Sequence, residues 1–343
     1  MTPLALALVV LLVFVVAWLL TGAVRRWALH TQLIDRPNER SSHVVPTPRG
    51  GGVAIVAAFA LGIAGLAAAG WLPAPLAVTL LGAALPIAVV GFIDDRISLA
   101  ARWRFGVHLL AAAWVLWRLG TLPPVPMFGA DVNLGIAGAV LALAWLVWMT
   151  NLYNFMDGID AIAGTEAVTV ALGGALCGWL AGGAGEGVAA LVLAAAAAGF
   201  LVWNLPPARI FMGDAGSGFL GITIGTLALC AAWRAPMLFW CWFILTGCFL
   251  VDATVTLMNR VARGERFYEA HRSHAYQYAS RVHGSHRVVS LAVGLINVAW
   301  LAPWAAAVAL GRIDGALAAV LAYLPLVAVA LRYKAGIRAA QQA

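Results

Sequence analysis

Charged residues are scarce in this chain. Only 10% of its 343 residues are Asp, Glu, Lys or Arg, whereas a soluble domain usually carries roughly a quarter. Apolar residues make up 63% of the sequence, and the mean hydropathy is +0.93. Apolar stretches of about 18–22 residues recur along the chain. This composition excludes an ordinary soluble domain and predicts a membrane protein with several spans.

Cysteine is also rare, and lysine is nearly absent. The only lysine is Lys334, so the net charge of +7 comes from arginine. The four cysteines lie in apolar segments and lack metal-like spacing: Cys177, Cys230, Cys241 and Cys248. We interpret them as small buried hydrophobic residues. There is no internal repeat or linker, so we predict a single domain over 1–343.

The apolar stretches predict an all-α polytopic membrane bundle, because in lipid the backbone must satisfy its own hydrogen bonds. We predict about 11 transmembrane helices, with ten as the alternative count. The predicted segments are 3–24, 51–70, 76–93, 104–120, 134–153, 165–182, 187–204, 217–233, 237–259, 289–310 and 316–332.

The basic residues predict the orientation of the bundle. Of the 21 Arg and Lys residues, all but Arg118, Arg234 and Arg312 fall on one side. By the positive-inside rule this side is cytoplasmic, the N-terminus lies outside and the C-terminus inside. Topology therefore accounts for the positive net charge, and we expect no nucleic-acid partner.

Five of the 14 acidic residues lie in three motifs at the cytoplasmic ends of apolar segments: 91–95, 154–160 and 211–218. In the first motif, adjacent Asp94 and Asp95 repel each other unless a cation or arginines lie nearby. A divalent ion or proton transfer is the functional interpretation of this pair. A solvated helix C-terminus is the alternative, although its dipole disfavours negative charge.

The second motif spaces Asn154, Asp157 and Asp160 so that they share a helical turn or tight loop. Hard oxygen ligands at this spacing suit Mg²⁺ or hydrogen bonds to a polar ring. An N-capping role for Asp160 before the next helix is the alternative.

The third motif is rich in glycine and precedes a membrane-length helix. Its glycines match a dinucleotide-binding fingerprint, but no βαβ unit surrounds them, so we reject that function. Glycines at a helix N-terminus expose N–H groups that attract phosphate. Asp214 would repel phosphate, so a metal between the two would resolve the conflict.

The loop over 260–288 is rich in arginine and histidine. Zinc is disfavoured because no cysteine is near, and a polybasic surface is a plainer alternative. Pyrophosphate recognition is the interpretation that we prefer. In the first inner loop, Arg40, His43 and Arg49 face either an anionic ligand or solvent. Asp252 and His108 lie inside predicted spans, where helix-to-helix hydrogen bonds explain them as well as function does.

Together and in this order, the motifs resemble those of the polyprenyl-phosphate N-acetylhexosamine-1-phosphate transferases, from Asp35 to about Gln277. The resemblance is carried by Pro46-Thr47-Pro48-Arg49-Gly50-Gly51, Asp94-Asp95, the Asn151–Asp160 motif, Phe211-Met212-Gly213-Asp214 and His271-Arg272-Ser273-His274. The segment around His271 is more similar to the O-antigen and capsule-initiating branch than to the peptidoglycan branch.

The resemblance implies transfer of HexNAc-1-phosphate from UDP-GlcNAc or a UDP-deoxy-HexNAc to undecaprenyl phosphate, with release of UMP. It implies Mg²⁺, with Mn²⁺ as the alternative ion, held by Asp214 and Asn154. The implied catalytic acids are Asp94, Asp95 and Asp157. Of these, Asp94 and Asp95 would position or deprotonate the lipid phosphate.

The resemblance also implies a set of substrate-binding residues. Phe211 would stack on uracil, and Asp160 would bond to the base. The remaining implied substrate contacts are Arg49, Arg104, His271, Arg272 and His274. Two departures from the family pattern affect this set. Ser98 replaces a third acid, and a phosphate-binding lysine is missing, so Arg104, or else Arg102, must take its role.

Two other functions compete with this one. The first is the phospho-MurNAc-pentapeptide transferase of peptidoglycan synthesis, from the same superfamily. The second is a secondary transporter. The clustering of the polar residues at one face argues against it. We expect a multi-pass protein of the bacterial inner membrane that works on membrane lipid with its site facing the cytoplasm. A homodimer is the oligomer that we would test first.

Overall fold

The computed structural model describes residues 1–37, 45–183, 187–265 and 272–337. Most of these residues lie in helices, which we number α1 to α14. Their bounds are α1 Pro3–His30, α2 Gly52–Ala68, α3 Ala74–Ile97, α4 Ala101–Leu119, α5 Gly135–Met156, α6 Ile162–Leu180, α7 Gly187–Asn204, α8 Asp214–Arg234, α9 Leu238–Leu245, α10 Gly247–Ala262, α11 Ala275–His283, α12 His286–Ile296, α13 Ala302–Ala309 and α14 Gly315–Arg332. A π-helical turn, Asn297–Leu301, joins α12 to α13.

The strands form two short antiparallel pairs. Strand β1, Ile34–Asp35, pairs with β2, Thr47–Pro48, so the two ends of the first predicted inner loop lie side by side. Strand β3, Val125–Met127, pairs with β4, Ala130–Val132, in the loop between α4 and α5. These four strands have only two or three residues each, and all other regular elements of the described residues are helices. The all-α membrane bundle predicted from composition is therefore confirmed.

Each of the 11 predicted segments coincides with helix, but the number of spans is smaller by length and composition. Within the described residues, eight helices are long and apolar enough to cross a membrane, or nine with one bent pair. Helix α2 has only 17 residues, and α4 carries charge near both ends. The predicted segment 237–259 is not continuous, because α9 and α10 meet at a bend of 69°.

Helix α8 forms the centre of the bundle. The apolar 18-residue stretch of α8 that is long enough to span a membrane is completely buried inside the protein, whereas that of α1 is only 17% buried. Helices α3 and α5 both pack on α8. At Gly91 a side chain would lie within 2.5 Å of the Asp214 carbonyl oxygen, so α3 and α8 touch backbone to backbone. Small residues allow such close approach between membrane helices.

A buried polar cluster lies near the bend between α9 and α10, where Glu166 also bonds to the Phe249 backbone N–H of α10. Asn297, in the π-helical turn, donates to the Glu166 carboxylate at 2.6 Å and to the Thr169 hydroxyl at 2.8 Å. Glu166 and Asn297 are both buried. The cluster links α6 to the π-helical turn and follows the rule that polar groups at membrane depth face protein.

Candidate active site

Five segments of the chain bring their polar side chains together at one end of α8. Asp94 and Asp95 lie in the last turn of α3, and Asp214 is the first residue of α8. Asn154 lies in the last turn of α5, and Arg49 follows β2. We call these residues, together with Arg104 of α4, the acid cluster. All six members of the acid cluster were predicted site residues.

Asp214 lies at the centre of the acid cluster. Its Oδ1 accepts from Nη2 of Arg49 at 2.8 Å and from Nδ2 of Asn154 at 3.0 Å. Its Oδ2 lies 3.8 Å from Nη1 of Arg104. Both oxygens of this carboxylate thus face positive or hydrogen-bonding groups, although the side chain keeps 22% of its surface exposed.

Asp95 caps the N-terminus of α8 from a different helix. Its Oδ1 accepts from the backbone N–H of Asp214 at 3.0 Å, and its Oδ2 accepts from that of Ala215 at 3.3 Å. Arg49 donates from Nε to the same Oδ1 at 2.8 Å, and the Asp95 side chain is fully buried. The exposed N–H groups that the sequence suggested for phosphate are therefore already bonded to a carboxylate.

Gly213 permits this cap. Its φ of +79° lies in the left-handed region, and a side chain there would lie 2.6 Å from Oδ2 of Asp95. The glycine thus brings the Asp95 carboxylate against the first turn of α8, where a negative charge is favoured by the helix dipole.

Asp94 has different partners from Asp95. Nη1 of Arg104 donates to its Oδ2 at 2.6 Å, and the Leu99 backbone N–H donates to its Oδ1. The alternative arginine, Arg102, instead lies over the Trp103 ring, 5.7 Å from its centroid. Of the two arginines proposed to replace the missing lysine, Arg104 is therefore the one that contacts the acids.

Arg49 links two carboxylates and is held by both. Burial lowers the pKa of Arg49, but the nearby carboxylates, chiefly Asp214 and Asp95, together raise it by more. The pKa therefore lies above the usual value. The guanidinium therefore stays charged in the acid cluster, where it neutralises part of the negative charge.

Asp157 lies just beyond α5, between the acid cluster and Asp160. Burial raises the pKa of Asp157 well above its usual range; Arg49 opposes the rise, and Asp214, Asp95 and Asp160 add to it. A carboxyl group in such surroundings binds a proton more readily than an exposed one. Its predicted catalytic role stays a prediction.

A cavity of about 670 Å³ opens beside the acid cluster. Three predicted substrate-binding residues line it: Asp160, Phe211 and Arg272. Further lining residues belong to the 260–288 loop, for which pyrophosphate recognition was predicted, but were not among the individual predicted contacts: Gln277, Arg281, His286 and Arg287. The cavity therefore combines an aromatic ring, a carboxylate and three arginines, which suit a base and a diphosphate.

The Asp160 carboxylate is held in place by contacts with two other segments. Its Oδ2 accepts from the Ala208 backbone N–H at 3.0 Å, and its Oδ1 lies 3.2 Å from Nδ1 of His286. The N-capping alternative is not found, because Ala161 precedes α6 and no side chain caps that helix.

Comparison with known proteins relates these features to a family. The sequence model of the family described as glycosyl transferase family 4 matches residues 76–232. A probable undecaprenyl-phosphate N-acetylglucosaminyl 1-phosphate transferase of Bacillus subtilis (strain 168) is 30% identical over 284 residues, covering 81% of this chain and 78% of that protein. The chain belongs to glycosyl transferase family 4.

Other relatives extend the family comparison. A decaprenyl-phosphate N-acetylglucosaminephosphotransferase of Mycobacterium tuberculosis (strain ATCC 25618 / H37Rv) is 31% identical over 329 residues, covering 84% of this chain and 79% of that protein. A phospho-N-acetylmuramoyl-pentapeptide-transferase of Clostridium botulinum (strain Alaska E43 / Type E3) is 30% identical over 204 residues, covering 56% of this chain and 61% of that protein.

Of the predicted substrate contacts in the segment around His271, only Arg272 is among the described residues that line the cavity. His271 lies outside the described residues. His274 is only 2% exposed, and its Nδ1 lies 3.3 Å from Oδ1 of Asp252. The Asp252 carboxylate also accepts from the first two backbone N–H groups of α11, both at 2.9 Å. These contacts account for His274 and Asp252 as helix anchors, and substrate binding by His274 stays a prediction.

The anchored helix α11 carries cavity residues that the sequence did not single out. Tyr276 donates to the Phe155 carbonyl at 3.0 Å, which fixes α11 against the end of α5. Gln277 and Arg281, four residues apart, then lie on one face that lines the cavity. The sequence marked 260–288 as basic, but nothing in it indicated which members face the cavity.

The acid cluster offers oxygen ligands of the kind that Mg²⁺ prefers. Mg²⁺ is usually bound by one or two carboxylates together with substrate phosphates, so Asp214 alone fits the minimum. Asn154 contacts Asp214 through its amide nitrogen, and that amide must turn to offer its oxygen to a metal. Asp214 therefore fits a metal ligand, and Asn154 supports it as a hydrogen-bond donor.

Proposed function

We propose that this family 4 chain transfers HexNAc-1-phosphate from a UDP-N-acetylhexosamine to undecaprenyl phosphate and releases UMP. The main support is that two short segments each contribute to both halves of the site. Thr47 and Phe211 line the cavity, while Arg49 and Asp214, two and three residues further on, belong to the acid cluster. A nucleotide bound in the cavity would therefore extend its phosphates toward the acid cluster.

The surroundings of the acid cluster suit transfer between two anions. The lipid phosphate attacks the phosphorus that bears the sugar, so the protein must mainly bring two anions together and neutralise charge. Arg49 and Arg104 supply fixed positive charge, and Arg272, Arg281 and Arg287 line the cavity. Mg²⁺, when bound at Asp214, would neutralise diphosphate oxygens.

The acids divide into different roles under this proposal. Asp95 is buried as a helix cap, so its geometry favours positioning of Asp214 and Arg49 over proton transfer. Asp94 and Asp157 are the remaining candidates for contact with the reacting phosphates. Burial raises the pKa of Asp157 well above its usual range, so this carboxylate, when ionised, is a stronger base than an exposed one.

The names of the relatives support a particular class of donor sugar. The Bacillus and Mycobacterium proteins are named for N-acetylglucosamine phosphate transfer, and the alignment with this chain spans more than three quarters of each of them. The muramoyl-pentapeptide enzyme matches over a shorter part of this chain. We therefore favour UDP-GlcNAc or a UDP-deoxy-HexNAc, used to start a cell-surface polysaccharide such as O-antigen.

A lipid-product assay tests this function. Purified protein in detergent with radiolabelled UDP-GlcNAc, undecaprenyl phosphate and Mg²⁺ should give a butanol-extractable product and an equal amount of UMP, and EDTA should stop both. Asp214→Asn should reduce the rate by roughly 100-fold or more, as for other groups that stabilise transition-state charge. Asp131→Asn, in the exposed β4 strand, is the matched control and should keep the wild-type rate.

Other outcomes of this assay contradict the proposal. Full activity of Asp214→Asn would remove the metal assignment. Product from UDP-MurNAc-pentapeptide, with none from a panel of UDP-N-acetylhexosamines, would assign the chain to the peptidoglycan reaction. Accumulation of UDP-sugar in sealed vesicles without UMP release would indicate a transporter.

A further inference from the structure

Arg96 directly follows the two acids of α3, yet it does not belong to the acid cluster. It is exposed in the last turn of α3. Its Cζ lies 4.8 Å from the centroid of the Trp27 ring of α1 and 4.9 Å from that of the Phe92 ring of α3. We propose that Arg96 and these two rings form a binding site for the phosphodiester headgroup of an anionic phospholipid. The site does not depend on the proposed function, because it requires neither a nucleotide nor turnover.

The two rings hold the guanidinium in place. Trp27 and Phe92 stack on each other with centroids 6.4 Å apart and planes inclined at 27°, although α2 separates their helices in the sequence. A guanidinium within about 6 Å of an aromatic centroid is attracted to the ring. This contact restricts the long Arg96 side chain, so less rotamer freedom is lost when its N–H groups bind a ligand.

The N–H groups of Arg96 are available to a ligand. Arg49 and Arg104 are bound to carboxylates of the acid cluster. By contrast, Arg96 has no hydrogen bond or ion pair within the part of the chain that the structure describes. A guanidinium presents its N–H groups as a planar fork that matches two oxygens of a phosphate. A phosphate is therefore the ligand class that this cation suits best.

The apolar surface that leads to Arg96 indicates that a lipid carries this phosphate. Four residues at spacings of four, three and four lie along one face of α3: Leu85, Val89, Phe92 and Arg96. Leu85 and Val89 are 38% and 59% exposed. Trp27 is also exposed, as is usual for a ring at a membrane interface. An acyl chain can cover this face of α3 while its headgroup phosphate reaches Arg96.

The charge around this site favours an anionic lipid over a zwitterionic one. Arg26, which precedes Trp27 on α1, is a second exposed arginine at this end of the bundle. Basic residues at a membrane surface attract anionic lipids. The headgroup of phosphatidylglycerol carries only the phosphate charge, whereas that of phosphatidylcholine also carries an ammonium group that the arginines would repel. We therefore assign the site to a lipid of the phosphatidylglycerol type.

Lipid titration followed by native mass spectrometry tests the role of Arg96. Dioleoyl-phosphatidylglycerol is added to the delipidated full-length chain in detergent, and the apparent Kd of the first bound lipid is measured. Arg96→Gln should raise this Kd by about fivefold, which corresponds to ~1 kcal/mol. Arg102→Gln is the matched control, because it removes the same charge from an arginine that lies over the ring of its own neighbour, Trp103. This control should change the Kd by less than about twofold.

A second pair of variants tests the rings separately from the charge. Trp27→Leu keeps the arginine but removes one ring face, so the Kd for dioleoyl-phosphatidylglycerol should rise by about threefold. Trp103→Leu is the matched control and should leave the Kd unchanged. Both tryptophans are exposed, which limits the effect of either substitution on folding.

Several outcomes would overturn the assignment. Equal weakening by Arg96→Gln and Arg102→Gln would show diffuse attraction to a basic surface. Equally strong binding of dioleoyl-phosphatidylcholine would show that the site does not select anionic lipids, and displacement by glycerol 3-phosphate would indicate a site for free phosphate. Loss of undecaprenyl phosphate binding in Arg96→Gln, with phosphatidylglycerol binding unchanged, would assign Arg96 to the acceptor lipid. None of these measurements uses a UDP-sugar, so failure of the lipid-product assay would refute the proposed function and leave this site standing.

Discussion

Asp94 and Asp95 are adjacent in the sequence, yet they have different environments. Asp94 pairs with Arg104 at 2.6 Å, whereas Asp95 is buried against the first turn of α8. Each contacts an arginine, which is one of the two kinds of partner that the sequence analysis required for the pair. The sequence could not separate them, because the position of α8 decides which carboxylate meets the helix N-terminus and which meets an arginine.

The cap predicts that Asp95 contributes more to stability than Asp94. Asp95→Ala removes the acceptor for two N–H groups, and loss of one cap costs about 1 kcal/mol. It also leaves the half-buried Arg49 with one carboxylate fewer. We therefore expect a lower melting temperature for Asp95→Ala than for Asp94→Ala, measured by tryptophan fluorescence in detergent. Asp131→Ala is the exposed control, and equal melting of all three variants would contradict the cap.

At the scale of helices, length and apolarity predicted most of the bundle, but the break in the ninth segment was missed. The segment 237–259 is apolar without interruption, so it was predicted as one span. Beside this bend, Tyr323 of α14 packs against Gly247, a contact between distant segments that the apolar pattern does not reveal. The same limit explains His286 and Asp252, whose partners come from distant segments that one-dimensional patterns do not relate.

The buried polar cluster near this bend predicts the effect of removing one carboxylate. Glu166→Leu removes the acceptor at 2.6 Å of one Asn297 amide hydrogen, while the other is still donated to Thr169. One unmatched buried donor costs about 1–3 kcal/mol. Glu166→Gln is the matched control, because its side-chain carbonyl can still accept from Asn297. We expect thermal unfolding in detergent at a clearly lower temperature for Glu166→Leu than for Glu166→Gln. Equal melting of the two variants would show that the bend does not depend on this hydrogen bond.

At the scale of the whole molecule, the arginines predict how the bundle sits in the membrane. The acid cluster and the cavity both belong to the Arg-rich side, where Arg49, Arg104 and Arg272 lie. A nucleotide sugar is made in the cytosol and does not cross lipid unaided. We therefore propose that this side faces the cytoplasm, with the β3–β4 loop on the opposite side.

Cysteine labelling from outside the cell tests this orientation. Asn133→Cys and Arg312→Cys lie at exposed positions on the predicted outer side, and Thr31→Cys and Ala262→Cys at exposed positions on the inner side. A membrane-impermeant maleimide should label the outer pair in intact spheroplasts and the inner pair only after permeabilisation. The wild type is a suitable background, because three of its four cysteines are buried and the fourth is half-buried in α10. Labelling of Thr31→Cys in intact spheroplasts would show that the protein has the opposite orientation. It would place the cavity on the side that lacks nucleotide sugars, so the proposed reaction depends on this result.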